Sequence, residues 1–314
     1  MPFERPILEV MDRFFSRHLH MGLLLAGTIL TAGCTSDPVV WPVSGDAAGD
    51  WTLLTTTYGP RIREEDGTYE FSRGIDIDVP KYTDVHAIAA GTVQLIEQIT
   101  EEGGMRVQIA HDGYFSTYMN LDSVDAEVGD LVDPGDFIAS SGATKDDVPR
   151  LHFEIRQPGA EKVDCVHPFR VLPYFDRGAP TVVLDSVDMT NPLAPRVTAH
   201  VVVRNREIDL VRISAATFEA PREAILDGMS PMSEQTWDME QWNREKTGSE
   251  DPALLNDAMP NGIEVHPELF DNVSTEQKIS FVFTKLSGPL DVNHLRLRLE
   301  VEDVRGNVAV VLGP

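Results

Sequence analysis

The chain has 314 residues, 42% of them hydrophobic, and 51 acidic against 26 basic side chains give a formal net charge of −25. That length accommodates two domains with ordinary cores. The charge argues against nucleic acid or an anionic membrane face as a partner, because both would repel it, and points instead to an acidic, solvated surface.

At the N-terminus, Arg13 and Arg17 precede a short apolar run, Met21 to Leu30, followed by Thr31-Ala32-Gly33-Cys34. A charged start, a short apolar segment and small residues before a cleavage point make a secretory signal. The run is shorter than the roughly 20 apolar residues a bilayer span needs. Leu30-Thr31-Ala32-Gly33-Cys34 resembles a bacterial lipobox, which implies a 1–34 signal peptide and lipidation at Cys34. It departs from that pattern in carrying Thr31 three places before the cysteine, with Leu30 one place early. Met11 is an alternative start, since residues 1–10 add Glu4 and Glu9 to a region that should be basic. Thr35, rather than Asp, follows the cysteine, so the resemblance implies an outer-membrane anchor facing the periplasm. With Cys34 modified, Cys165 has no partner for an intramolecular disulfide. Residues 35–50 are small, polar and rich in turn formers, the chemistry of a linker.

From 51 to 177 the chain reads as short strands separated by glycine and proline. Val85–Ala89, Gly91–Ile96, Arg106–Ala110, Phe115–Asn120, Phe137–Ala139 and Leu151–Ile155 are expected strands, punctuated by Gly129-Asp130 and Pro134-Gly135-Asp136. Such spacing favours a compact all-β sandwich or barrel.

The order of these segments carries a resemblance. Ser72-Arg73-Gly74-Ile75-Asp76, Ala90-Gly91-Thr92-Val93, Tyr118-Met119-Asn120-Leu121, Pro134-Gly135-Asp136, Leu151-His152-Phe153-Glu154 and His167-Pro168 follow one another as in lysostaphin-like (LytM-type) zinc endopeptidases. Those enzymes cut peptide cross-links in peptidoglycan. The resemblance implies a LytM-type fold, with zinc bound by the His and Asp of a His-x-Gly-x-Asp segment and by the second His of a His-x-His strand. Two further histidines act on the water and the oxyanion. Mapped onto this chain, Asp76 and His152 remain, Ser72 stands at the first ligand position, and Arg150 and Asn120 stand at the two helper positions.

These replacements have physical consequences. A neutral hydroxyl is a poor zinc ligand beside imidazole, and a guanidinium cannot act as a general base near neutral pH. A divalent ion about 5 Å from that charge would be repelled by roughly 6 kcal/mol at an effective dielectric near 20. Asn120 donates hydrogen bonds but does not shuttle a proton. The catalytic set is therefore not intact, no metal cofactor is expected, and Arg150 is expected to reach Asp76 where zinc would sit. Two alternatives stand: Arg150 turned into solvent, and a substituted zinc set of Asp76 and His152 with His86, His111 or His167. His167 is expected near the surface, and Cys165 is expected to be an inert thiol.

Asp176-Arg177-Gly178-Ala179-Pro180 reads as a joint. From 178 to 314, Thr181–Asp185, Arg196–Val203, Val211–Phe218, Ile279–Thr284, Leu295–Asp303 and Val308–Leu312 alternate or run apolar, a pattern resembling an immunoglobulin-like or fibronectin-like sandwich. Between 220 and 277 the strand pattern lapses. Glu223–Met229 and Glu234–Glu245 are predicted as short helices in an irregular insertion, with Trp237 and Trp242 plugging it onto its own domain.

The function these readings imply is that of a catalytically degenerate LytM-type protein in the cell envelope. It would bind peptidoglycan stem peptides or regulate a murein hydrolase such as an amidase. The alternatives are an active zinc endopeptidase with substituted ligands and a structural envelope-binding module. Neither a sugar-binding LysM segment nor a coiled coil, both common in known activators, is evident in the sequence.

Overall fold

The computed structural model describes residues 38–44, 54–62, 69–99, 103–158, 164–176, 178–189, 196–205, 209–240, 263–269, 276–283, 291 and 293–314. Cys34, the 1–34 signal and Trp242 lie outside them. Residues from Asp37 onward belong to one compact unit.

Twelve strands build the first part: β1 (Leu54–Thr56), β2 (Gly59–Ile62), β3 (Tyr69–Ser72), β4 (Ile75–Ile77), β5 (Asp84–His86), β6 (Gly91–Gln98), β7 (Met105–Ala110), β8 (Phe115–Val124), β9 (Leu131–Val132), β10 (Phe137–Ser141), β11 (Leu151–Gln157) and β12 (Asp164–Val166). The main sheet runs β1-β4-β11-β8-β7-β6-β9. Strand β10 joins β5 to β8, β12 lies on β11, and β2 and β3 form a separate hairpin. Period-two alternation sets the faces. On β11, Leu151, Phe153 and Ile155 are wholly buried with Ile75 and Tyr118, which leaves the intervening polar residues on the opposite face.

The second part has β13 (Thr181–Met189), β14 (Val197–Arg204), β15 (Leu210–Glu219), β16 (Ser233–Asp238), β17 (Ile263–Leu269), β18 (Glu276–Phe283), β19 (Leu295–Asp303) and β20 (Val308–Gly313). They form two antiparallel sheets, β13-β14-β18-β17 and β16-β15-β19-β20. Val197, Ala199 and Val201 from one sheet and Leu297, Leu299 and Val301 from the other share a single core. The protein is all-β, as its turn-rich alternation suggested.

The two parts are joined by directed contacts. A 3-10 turn at Pro168–Arg170 aims Arg170 at Glu240, with Nε to Oε1 at 2.9 Å and Nη2 to Oε2 at 3.0 Å, while Nη1 donates to the Val304 carbonyl at 2.9 Å. Glu240 also accepts from the His167 amide at 3.1 Å. The Tyr174 hydroxyl donates to Asp209 at 2.7 Å, and Arg305 lies over the Tyr174 ring.

Three expectations are corrected. Within the 35–50 linker, residues 38–44 are docked: Trp41 and Val43 are buried, Val43 bridges to Val85, and the Trp41 indole donates to the Pro173 carbonyl at 2.8 Å. Apolar Val39, Val40, Trp41 and Val43 explain why this stretch packs. The predicted helix from Glu234 begins instead as strand β16, paired with β15 from Arg212↔Asp238 to Thr217↔Ser233. Residues 223–229 form no helix, with turns at 222–223 and 227–228. The region 220–277 therefore supplies two regular strands, β16 and β17. Trp237 is buried against Phe281, a cross-sheet contact that outweighs local helical preference. Finally, His167 is fully buried, between the rings of Tyr58 and Phe169.

Candidate functional site

The sheet order β1-β4-β11 brings Thr56, Asp76 and His152 into one row, because Asp76 pairs with Thr56 on one side and His152 on the other. Directly opposed residues on neighbouring strands have close Cβ atoms, so the Asp76 carboxylate meets the His152 ring. His152 Nδ1 lies 2.5 Å from Asp76 Oδ1, and Arg150 Nη1 donates to Asp76 Oδ2 at 2.9 Å. Arg150 thus reaches Asp76 and does not swing into solvent.

The contact extends along β11. His152 Nε2 lies 3.2 Å from Glu154 Oε1, and Arg156 Nε donates to Glu154 Oε2 at 2.5 Å. Arg150, His152, Glu154 and Arg156 are two residues apart and share a face. The result is an alternating row of charge, Arg150–Asp76–His152–Glu154–Arg156.

The protonation states follow. Burial pushes the Asp76 carboxyl up, but the hydrogen bond and charge of His152, then Arg150 and Thr56, outweigh it and hold it at about 2. Burial raises Glu154 too, but His152 and Arg156 overcome this and hold it at about 2. For His152 burial opposes the charge, yet its bonds to Asp76 and Glu154 prevail and raise it to about 10. At neutral pH the ring is an imidazolium donating from both nitrogens.

Ser72 and Asn120 are buried as well. Ser72, at the end of β3 and 5% exposed, donates from Oγ to the Gly74 carbonyl at 3.1 Å. Asn120, buried on β8, has φ +59°, a left-handed conformation that asparagine tolerates better than most residues. Its carbonyl accepts from the Gly142 amide at 2.7 Å. Gly142 has to be glycine here, since a Cβ would lie 2.7 Å from the Asp122 nitrogen and 2.8 Å from the Asn120 oxygen.

A catalytic zinc needs three free protein donors. Here both His152 nitrogens and both Asp76 oxygens are engaged, Arg150 brings a cation to the same carboxylate, and the Ser72 hydroxyl is turned to its own loop. This donor set does not fit the metal. Among the described residues no cluster of three His, Cys, Asp or Glu side chains is arranged to hold one.

His86, His111 and His167 do not complete a site with Asp76 and His152. His86 Nδ1 donates to the Gly135 carbonyl at 3.0 Å. His111 bonds the Ala90 carbonyl at 2.8 Å and Ser116 Oγ at 2.7 Å, and burial lowers its pKa. His167 packs at the turn before Pro168. Cys165 is buried, and its thiol donates to Glu154 Oε2 at 3.9 Å. Glu154 and Arg156 were not singled out from the sequence. The alternation Arg150-Leu151-His152-Phe153-Glu154-Ile155-Arg156 would have shown them, since it puts four charged or ionisable groups in register behind three apolar ones.

Residues 70–165 match the model of peptidase family M23. Two relatives align over about the same extent. The lipoprotein YgeR of Escherichia coli is 29% identical over 151 residues, 46% of this chain and 57% of YgeR. The murein hydrolase activator NlpD of Salmonella typhimurium is 32% identical over 155 residues, 47% of this chain and 40% of NlpD. The chain thus spans about half the length of these curated relatives, or less. The catalytic domain of lysostaphin from Staphylococcus simulans is 25% identical and overlaps 38% of this chain and 90% of that domain, with a TM-score of 0.34, an agreement too low to bear on function.

Proposed function

We propose that this protein is a non-catalytic M23-domain lipoprotein of the bacterial envelope that regulates a murein hydrolase, with an amidase as the favoured partner. The observation that carries the reading is the charge row through Asp76 and His152, which occupies the donor atoms a zinc would need and leaves no group free to activate water. No metal cofactor is required, and Ser72, Asp76, Asn120, Arg150 and His152 serve as structure. The name of NlpD as a murein hydrolase activator supports the regulatory role. The lipobox-like segment and a lipoprotein relative support anchoring through Cys34, with the protein facing the periplasm from the outer membrane.

We further assign residues 51–177 to the M23 module and 178–314 to an immunoglobulin-like module. Supporting this is the strand order: read as A to G, the sheets are A-B-E-D and C′-C-F-G, the arrangement of that sandwich class. The peptidoglycan-facing role falls to the M23 module.

The test is a murein-digestion assay with the lipidated chain in detergent, alone and with a purified amidase from the same organism. The expected result is no digestion alone and faster digestion by the amidase in its presence. Zinc-dependent release of peptide fragments by the chain alone would overturn the proposal.

A further inference from the structure

The two sheets of the second part end in four edge strands, β13, β17, β16 and β20. An edge strand presents unpaired backbone groups to which another strand can add. Three of the four carry features that discourage addition. β13 has a register break between Leu184 and Ser186 and the exposed charges of Asp185 and Asp188. β17 has Pro267 beside a break before Leu269. β16 carries Glu234 and Asp238. β20 has none of these. Its Val308-Ala309-Val310-Val311-Leu312-Gly313 contains no charge and no proline, and it pairs with β19 without a break from Glu302↔Val308 to Leu297↔Gly313. Among the described residues β19 is the only strand that pairs with it.

Alternation divides β20 between two faces. Ala309 and Val311 turn inward, onto the core they share with Val182, Leu184 and Val187 of β13. Val308, Val310 and Leu312 turn outward and are between 43% and 49% exposed. Their neighbours on β19 are Glu302, Glu300 and Arg298, so an apolar row forms the rim of this face with charge behind it.

We infer that β20 is an interface between two copies of this chain, which pair antiparallel through it and join two four-stranded sheets into one of eight. The strand's own sequence fixes the register. Opposed residues in a sheet share a face, so a two-fold axis passes through a residue and not between two. Centred on Val310, it sets Val310 against Val310 of the second copy and Val308 against Leu312 on either side. All three outward side chains then find apolar partners. Centred on Ala309 or Val311, it leaves Leu312 or Val308 facing a residue outside the strand. Charge favours the same edge. Copies with a net charge of −25 repel wherever acidic faces meet. On the outer face of the joined sheet, the charged rows of the two β19 strands are three strand spacings apart, about 14 Å, beyond the Debye length of about 8 Å at physiological salt. Six residues a side make a contact smaller than the roughly 1,200 Å² of stable complexes, so the dimer is weak and dissociates on dilution.

The test uses the full lipidated chain in detergent, as wild type, as Val308→Cys, Val310→Cys and Leu312→Cys, and as Val310→Lys. Wild type, with only its own cysteines, sets the background for cross-linking. Under mild oxidation Val310→Cys should form a covalent dimer about tenfold or more faster than either other cysteine variant alone, because positions 308 and 312 lie about 13 Å from their own copies in this register. Val308→Cys and Leu312→Cys, mixed, should cross-link to each other. Val310→Lys opposes two like charges and should raise the dimer Kd in sedimentation velocity about tenfold or more. Its melting temperature should stay within about 2 °C of wild type, since the side chain points to solvent. If it melts lower, the cross-linking pattern decides alone. Equal cross-linking at all three positions, a wild type that stays monomeric at its highest soluble concentration, or a dimer unaffected by a stably folded Val310→Lys would each overturn the inference.

Discussion

Replacing Asp76 by Asn separates two accounts of the site by the sign of a stability change. Asp76 is 3% exposed and receives His152 at 2.5 Å and Arg150 at 2.9 Å. An amide of the same shape keeps one acceptor but turns an NH2 group towards the other donor, so one bond survives without the carboxylate charge and the other becomes a donor–donor clash. Removing one partner of a buried ion pair costs about 3–5 kcal/mol. Two effects reduce this: the Arg150 side chain is 30% exposed and can turn to water, and His152 can shed its proton. A net loss of about 2–4 kcal/mol is expected, which lowers the melting temperature by roughly 5–12 °C for a domain of this size. The assay is thermal unfolding at neutral pH, paired with an NMR pH titration of His152, which should lose its proton at lower pH than in wild type. An Asp poised for a metal behaves oppositely, because in the apo protein its charge is a liability and neutralising it stabilises. A variant that melts at or above the wild-type temperature would refute the charge-row account.

The pH dependence follows with a definite sign. His152 is raised from an ordinary histidine value near 6.5 to about 10, so its contribution is complete below about pH 6.5 and is lost as pH rises through 10. Asp76 and Glu154 are depressed to about 2, so theirs is present above their ordinary values and lost as pH falls towards 2. Denaturant midpoints should be flat between about pH 5 and 6.5 and fall on both sides, and His152→Gln should remove the alkaline fall; an unchanged alkaline limb in that variant would contradict this. Glu240→Ala strips partners from Arg170 and the His167 amide and should destabilise by about 2 kcal/mol in chemical denaturation, whereas no loss would mean the contact between the two parts is dispensable. Gly74→Ala places a Cβ 2.2 Å from the Phe153 carbonyl oxygen, so soluble yield and melting temperature should drop sharply, and an unperturbed variant would show the β4–β11 approach to be looser than described.

The sequence made β11 and β19 legible because each alternates cleanly, and β11 carried the decisive substitutions at Arg150 and His152. It was less informative where strands are short or lack alternation. β1 and β4 have three residues each, and β4 is buried throughout, so no periodicity marks them. Glu234–Glu245 reads as a short helix in an acidic stretch where the strand pattern lapses, yet Gln235, Trp237 and Met239 repeat every second residue, and pairing with β15 makes that period the dominant one. The pairing of Arg150 with Asp76 could be argued from the sequence by elimination of the metal. The same alternation puts Glu154 and Arg156 on the face of His152, but the charge row they extend is completed only by the cross-strand register that brings Asp76 beside His152.

Bound zinc tests the central claim most directly. The chain, purified with zinc supplied throughout, is dialysed and its metal content measured by elemental analysis beside a Ser72→His/Arg150→His variant that restores imidazoles at two positions. The account predicts far less than one zinc per wild-type chain and more in the variant. One zinc per wild-type chain, lost on His152→Ala, would contradict it and show that the charge row opens to admit the metal.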